Sequence, residues 1–136
     1  MDVLMSDTHE CIFCSIVAGT LPNFTVYEDH NFLAFLDVFP RVKGHALVIP
    51  KEHYRWVYDV PNFGAYWEVA KKVGEKLQQS LGSEFISYIT MGNEVPHAHI
   101  HVLPQQTNKV EGFTLSSVVN MSKEEMKKLA SSINNI

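Results

Sequence analysis

The chain predicts an α+β fold: a sheet of about five antiparallel strands, one long helix and a C-terminal helix. Three observations carry that expectation. Several short apolar runs have the length of strands and are bounded by turn-forming residues. One longer stretch, between the third and fourth runs, repeats its apolar residues at spacings of three and four. Near the carboxyl end, Ser122-Lys-Glu-Glu125 has the pattern of a capping box, in which serine and glutamate side chains each satisfy an amide of a helix's first turn.

Taken in order, residues 11–17 read as a short helix or turn, closed by Gly19 and Pro22. Residues 24–28 and 32–37 are the first two strands. The connection Asp29-His30-Asn31 is so short that they must run antiparallel. Residues 44–50 supply the third strand. The long helix covers residues 62–79, with Phe63, Tyr66, Trp67, Ala70, Val73 and Leu77 facing the sheet and Gly74 permitting close approach. Its aromatic stripe reads as core, so Tyr66 and Trp67 receive no functional role. Residues 85–91 and 98–103 make the fourth and fifth strands, and residues 105–119 are irregular. Met126, Leu129 and Ile133 follow the capping box on the last helix.

At 136 residues, 46% hydrophobic and 19% charged, the chain has the size and composition to bury a single core. Residues 11–136 read as one domain and residues 1–10 as an amino-terminal extension. The formal net charge is −4, and Lys71-Lys72 and Lys127-Lys128 fall on helices. No basic stripe is available to neutralise a nucleic-acid backbone, so no nucleic-acid partner is expected. No apolar run approaches the roughly 20 residues of a membrane span, and the first residues lack the basic and apolar regions of a signal peptide. A cytoplasmic protein without a membrane partner is expected.

The chemistry concentrates in His97-Ala-His99-Ile-His101. On an extended strand these imidazoles share one face, while Ala98, Ile100 and Val102 point the other way into an apolar layer. Two chemistries suit such a row. A neutral imidazole is a nucleophile toward phosphorus near neutral pH, and a neighbour can hold its tautomer by accepting the hydrogen of its other nitrogen. Histidines at alternate positions also suit a metal such as zinc.

The two cysteines are spaced Cys11-Ile-Phe-Cys14, which offers no disulfide framework and raises a metal or redox role. His45, His53 and the histidine row stand ready to complete a tetrahedral sulfur and nitrogen set. His53 is otherwise an ordinary surface histidine. His45 either orients a ring or contacts phosphate, or is a buried histidine bonded to a backbone carbonyl. Asp37, at the end of an apolar strand, either caps a turn or accepts hydrogen bonds from vicinal hydroxyls.

The segment from His97 to Leu103 resembles the signature of the histidine triad family, with three histidines separated by single apolar residues and followed by two more. Residues 35–40, Phe-Leu-Asp-Val-Phe-Pro, are similar to that family's nucleoside-binding strand end. Residues 44–51 with His53 are similar to its next strand, and Cys11-Ile-Phe-Cys14 is similar to the opening of its zinc-containing bacterial members. The resemblance implies that Asp37 binds ribose and that Phe35, Val38 and Phe13 line a base pocket. It implies a structural zinc on Cys11, Cys14, His53 and His97, with no catalytic cofactor, and a homodimer whose sheets join.

The same resemblance implies a hydrolase or nucleotidyl transferase of the phosphoramidase or dinucleoside polyphosphate hydrolase type. His99 would attack the α-phosphorus of a nucleoside 5′-phosphate derivative with His97 and His101 beside it. A covalent nucleotidyl-histidine would then release a nucleoside monophosphate, AMP being expected. In one respect the chain departs from the family: Asn93-Glu94-Val95-Pro96 leads straight into His97, where many relatives carry a longer loop that holds phosphate oxygens. Asn93 is left to supply an amide to the phosphate, with Gln105 and Gln106 as candidates to compensate. A catalytically weak nucleotide-binding module is the alternative to an enzyme, and a metalloenzyme with the triad on a catalytic metal is the other.

Overall fold

The computed structural model describes residues 11–112 and 117–135, so the expected extension at residues 1–10 lies outside the described residues. The elements are α1 (Ile12–Val17), β1 (Thr25–Glu28), β2 (Phe32–Leu36), β3 (Ala46–Pro50), a 3-10 turn (Val57–Asp59), α2 (Phe63–Leu81), β4 (Phe85–Ile89), β5 (Ile100–Gln105) and α3 (Lys123–Asn134). The five strands form one antiparallel sheet in the order β1-β2-β3-β5-β4. This is the α+β architecture that the apolar runs predict.

The hairpin between β1 and β2 is held by Asp29, whose Oδ1 accepts from the amides of Asn31 and Phe32, each at 2.8 Å. An aspartate so placed replaces backbone partners with its own side chain, which is why this short connection turns here. Strand alternation then sorts the sheet into two faces. Phe32, Ala34, Leu36, Ala46, Val48, Ile100 and Val102 enter the main core beneath α2 and α3. Leu33, Phe35, Leu47 and Ile49 point the other way and pack with Cys11 and Phe13. Both faces of β2 and β3 are therefore buried.

Helix α2 runs to Leu81, two residues beyond expectation, and stops at Gly82, whose left-handed φ of 68° suits a residue without Cβ. Its buried face is Tyr66, Val69, Ala70, Val73, Gly74 and Leu77; Phe63, the first residue of the helix, is exposed and meets the Trp67 ring edge-on. The Tyr66 ring stacks on Phe32 at 5.3 Å and its hydroxyl donates to the carbonyl of Val48 at 2.8 Å. At Gly74 a Cβ would collide with the Tyr88 hydroxyl, confirming close approach to the sheet. The capping box forms on α3: Ser122 accepts from the Glu125 amide and Glu125 accepts from the Ser122 amide. Met126, Leu129 and Ile133 are buried as expected. Among the described residues no helix is long and apolar enough to cross a membrane.

Gly44, immediately before His45, has φ of 87°, and a Cβ there would collide with the side chain of Leu81. A Gly44→Ala variant is expected to lose about 1–3 kcal/mol, from left-handed strain and the clash together. Urea unfolding measures it, and a midpoint unchanged from the parent would contradict this account.

Candidate functional site

Strand β5 proper begins at Ile100, so of the three histidines only His101 lies within it. The expectation of all three on one strand is corrected, and the reason is hydrogen bonding. The Ala98 amide donates to the carbonyl of Tyr54 at 2.7 Å and the His97 amide to Val95 at 2.9 Å, so neither joins the ladder with β3. The alternation survives nevertheless. Ala98, Ile100 and Val102 are in the main core, and all three imidazoles are buried on the opposite side.

His97 turns toward α1. Its Nδ1 lies 3.3 Å from Cys11 Sγ, 3.5 Å from Cys14 Sγ and 3.2 Å from His53 Nδ1, and Cys14 Sγ is 3.2 Å from His53 Nδ1. Four donor atoms thus converge within 4.8 Å of one another. Tetrahedral zinc, with bonds of about 2.3 Å to sulfur and about 2.0–2.1 Å to nitrogen, sets sulfur and nitrogen about 3.5 Å apart and two nitrogens about 3.3 Å apart. The observed separations match those edges, so the residues fit the ion. His97 Nε2–H donates to the carbonyl of Pro50 at 2.9 Å, which fixes Nδ1 as the ligating lone pair. The Cys14 amide donates to Cys11 Sγ at 3.3 Å. Burial, followed by the hydrogen bond with Cys11, pushes the Cys14 thiol up to about 12. A thiol so placed ionises near neutral pH only beside a cation, which a divalent metal supplies.

His99 is oriented from behind. Its Nδ1 is 2.8 Å from the carbonyl of His97, an acceptor only, so Nδ1 carries the hydrogen and Nε2 carries a lone pair. Burial lowers the pKa of His99, the backbone bond to His97 opposes this, and the charge of Arg55 lowers it further. The ring is therefore held neutral. Phe13 meets it edge-on at 5.3 Å.

A second chain of bonds fixes His101. The amide of Arg41 donates to His45 Nδ1 at 3.1 Å, so His45 carries its hydrogen on Nε2 and donates it to His101 Nδ1 at 2.8 Å. His101 is left with its hydrogen on Nε2. Neighbouring imidazoles His99 and His101, 5.0 Å apart, thus present opposite functions, one a lone pair and the other a donor. Burial first, then neighbouring charges, lower both His45 and His101 to about 3.

His99 and His101 line a cleft of about 550 Å³, within the range of small-molecule sites. Phe13, Phe35 and Val38 form apolar wall, and Asp37 and Asn93 line the same space. His45 is fully buried, does not line the cleft, and bonds to His101 through Nε2 rather than to a backbone carbonyl. Asp37 serves a turn: its Oδ1 accepts from the Phe39 amide at 2.8 Å, while Arg41 Nη1 approaches Oδ2 at 3.3 Å. Burial raises its pKa, and the Phe39 amide and Arg41 lower it.

Gln105 and Gln106 do not compensate for the short loop. Gln105 is buried, donating to the carbonyl of Glu111 at 2.7 Å and accepting from its amide at 2.8 Å, and Gln106 reaches Gly82. Both close the return of the chain beyond β5, outside the cleft. Two arginines escape notice in the sequence. Arg41 lines the cleft, and Arg55 donates to the Gly92 carbonyl at 2.7 Å with its guanidinium 3.8 Å from the Trp56 ring centre. An arginine four residues after a strand-ending aspartate is the one signal that points to the first.

The sheet with imidazoles at its centre, opposite tautomers facing an apolar cleft, and a two-cysteine, two-histidine cluster together define a narrow class of protein. Residues 18–108 match the family model for the HIT domain, and the chain belongs to that family. It is 37% identical over 125 residues to the uncharacterised HIT-like protein MJ0866 of Methanocaldococcus jannaschii, covering 87% of this chain and 96% of that protein. It is 31% identical over 104 residues to the adenosine 5′-monophosphoramidase HNT1 of Saccharomyces cerevisiae, covering 73% of this chain and 65% of the yeast protein. Among solved structures, a zinc-bound histidine triad family protein from Mycobacterium smegmatis superposes with a TM-score of 0.70 at 29% identity, covering 94% of this chain and 96% of that one.

The buried imidazoles carry a pH signature. His45 and His101 titrate near 3 when folded and near the ordinary 6.5 when unfolded, so across that window the unfolded chain binds more protons. Stability from these two groups is therefore full above about pH 6.5 and is lost as pH falls toward about 3. Urea unfolding in buffers from about pH 7 down to about pH 4 is expected to give a steadily smaller unfolding free energy. A smaller loss in His45→Asn than in the parent would assign part of it to the relay; equal loss in both would place it elsewhere.

Proposed function

We propose that this chain hydrolyses nucleoside 5′-phosphate derivatives at the α-phosphorus through a covalent nucleotidyl-histidine on His99, releasing a nucleoside monophosphate, AMP foremost. The observation that carries this reading is the hydrogen bond of His99 Nδ1–H to the His97 carbonyl at 2.8 Å, which leaves Nε2 as a lone pair beside the cleft. A relative named for adenosine 5′-monophosphoramidase activity supports the choice of adenosine and of an amine leaving group.

In the first step the Nε2 lone pair forms a nitrogen–phosphorus bond as the bond to the leaving amine or nucleotide breaks, and the departing group takes up a proton from solvent. The resulting imidazolium keeps Nδ1–H on the His97 carbonyl. In the second step water forms a bond to phosphorus and releases one proton to solvent, offsetting the one taken in the first step, the nitrogen–phosphorus bond breaks, and His99 returns to its neutral tautomer. His101 Nε2–H is the donor for a nonbridging oxygen, with His45 holding its tautomer and the amide of Asn93 as a further donor. Asp37 accepts from the ribose hydroxyls, while Phe13, Phe35 and Val38 enclose the base. Apolar walls read no base edge, so base selectivity is loose.

The zinc role is structural: Cys11, Cys14, His53 and His97 supply four ligands and leave no open position. The homodimer implied by the family is consistent with β4, which ends the sheet and exposes Tyr88. A cytoplasmic setting keeps the cysteines reduced.

Two outcomes are expected. His99→Ala abolishes AMP release from adenosine 5′-phosphoramidate while retaining AMP binding; undiminished turnover would sink the assignment. AMP binding by the parent without turnover of that substrate or of a dinucleoside polyphosphate would select the binding-module alternative. Elemental analysis of purified protein is expected to find one zinc per chain, reduced in Cys14→Ser together with a thermal midpoint lowered by several degrees. Metal content unchanged by Cys14→Ser would refute the cluster.

A further inference from the structure

Arg41 lies in the turn between β2 and β3 and touches both halves of the site. Its Nη1 stands 3.3 Å from Asp37 Oδ2 and donates to the carbonyl of Phe39 at 2.8 Å. Its main-chain amide donates to His45 Nδ1, the first bond of the relay that ends on His101. Its Nε is buried without a hydrogen-bond partner among the described residues, a cost that favourable packing alone does not explain.

We infer that Arg41 is a positioning residue for the nucleoside: its guanidinium keeps the Asp37 carboxylate charged and aimed so that the ribose diol can bind there. This rests on the ribose assignment of Asp37 made above. A carboxylate has about four acceptor sites; the Phe39 amide and Arg41 Nη1 take one each, and the remainder match the two hydroxyls of a ribose. Asp37 is largely buried in the turn, where a carboxyl alone would tend to hold its proton and lose one acceptor site. The charged and titratable groups recorded around it are Arg41, His45 at 3.7 Å from Oδ2 and His101 within 4.8 Å; both imidazoles are held neutral, so Arg41 is the cation that opposes this. The division of labour within one residue has a consequence. The side chain serves binding through Asp37, whereas the relay uses the main-chain N–H, which any substitution except proline retains.

Arg41→Met and Arg41→Lys, each carrying the native His99, separate the two roles. AMP and 2′,3′-dideoxy-AMP are titrated calorimetrically into the parent and both variants, and KM and kcat are measured on adenosine 5′-phosphoramidate. Arg41→Met is expected to weaken AMP binding about tenfold, the scale of a charge-assisted hydrogen bond. Dideoxy-AMP affinity should be unchanged, KM should rise while kcat holds, and Arg41→Lys should recover part of the loss. Equal weakening of both ligands, or a fall in kcat at constant KM, would overturn the inference in favour of a general structural role. A parent protein that binds both ligands equally would overturn it together with the ribose assignment. Failure of the hydrolase reading is a separate result, since AMP binding with no turnover leaves the two-ligand comparison to decide this inference by itself.

Discussion

Everything at the centre of this molecule depends on how His97 is held. Its Nε2–H is fixed on the Pro50 carbonyl, its Nδ1 enters the cysteine cluster, and its own carbonyl takes the Nδ1–H of His99. One buried residue therefore sets the metal ligand geometry, the junction of β3 with the segment before β5, and the tautomer of the neighbouring imidazole. Each of its polar groups is engaged, so the ring has no alternative orientation that would not leave a buried donor or acceptor unmet, at roughly 1–3 kcal/mol apiece. This is why the Ala98 amide leaves the sheet ladder for Tyr54: the backbone near His97 is shaped by side-chain demands.

The second constraint is neutrality. Burying several imidazoles in contact is tolerable only if they stay uncharged and each hydrogen has an acceptor. The Arg41 amide begins a directional chain, through His45 to His101, that permits one set of tautomers, and the His97 carbonyl permits one for His99. The geometry also separates the two groups of metal-ligating residues. Asp37, His45 and His101 converge, but His45 Nε2 and His101 Nδ1 are 2.8 Å apart, a proton-sharing distance and shorter than the roughly 3.3 Å between nitrogens on tetrahedral zinc. The cluster around Cys11 meets that spacing. A metal shared by His45 and His101 is accordingly disfavoured by the distance between them.

Much of this was legible in the sequence because periodicity and turn chemistry act locally. The alternation around Ile100, the aspartate turn at residues 29–31 and the capping box at Ser122 each declare themselves within a few residues. The cysteine spacing pointed to a sulfur and nitrogen set with His45, His53 or the histidine row, and the resemblance named His53 and His97, whose nitrogens converge with both sulfurs. What escaped was set by long-range partners. The start of β5 depends on Tyr54, distant in sequence, taking an amide. Gln105 looked like a phosphate donor until Glu111 folded back onto it. Arg41 and Arg55 have ordinary surroundings in the sequence, and only the folded turn shows what they reach.

The amino-terminal helix connects these observations. At six residues α1 is too short to persist alone, so its position is set by what it touches: Cys11 and Cys14 in the cluster, and Phe13 between them against Phe35, His97 and His99. The aromatic wall of the cleft is thus carried on the same turn as the two cysteines of the cluster. The His97 carbonyl that orients His99, by contrast, belongs to backbone also anchored by the Pro50 bond and the Ala98 amide, neither of which needs a metal. Loosening the cluster would release Phe13 before it disturbed the tautomer of His99. In this fold the cysteine and histidine cluster therefore bears chiefly on the placement of Phe13, while the sheet and the turn from Asp37 to His45 keep the buried imidazoles in order.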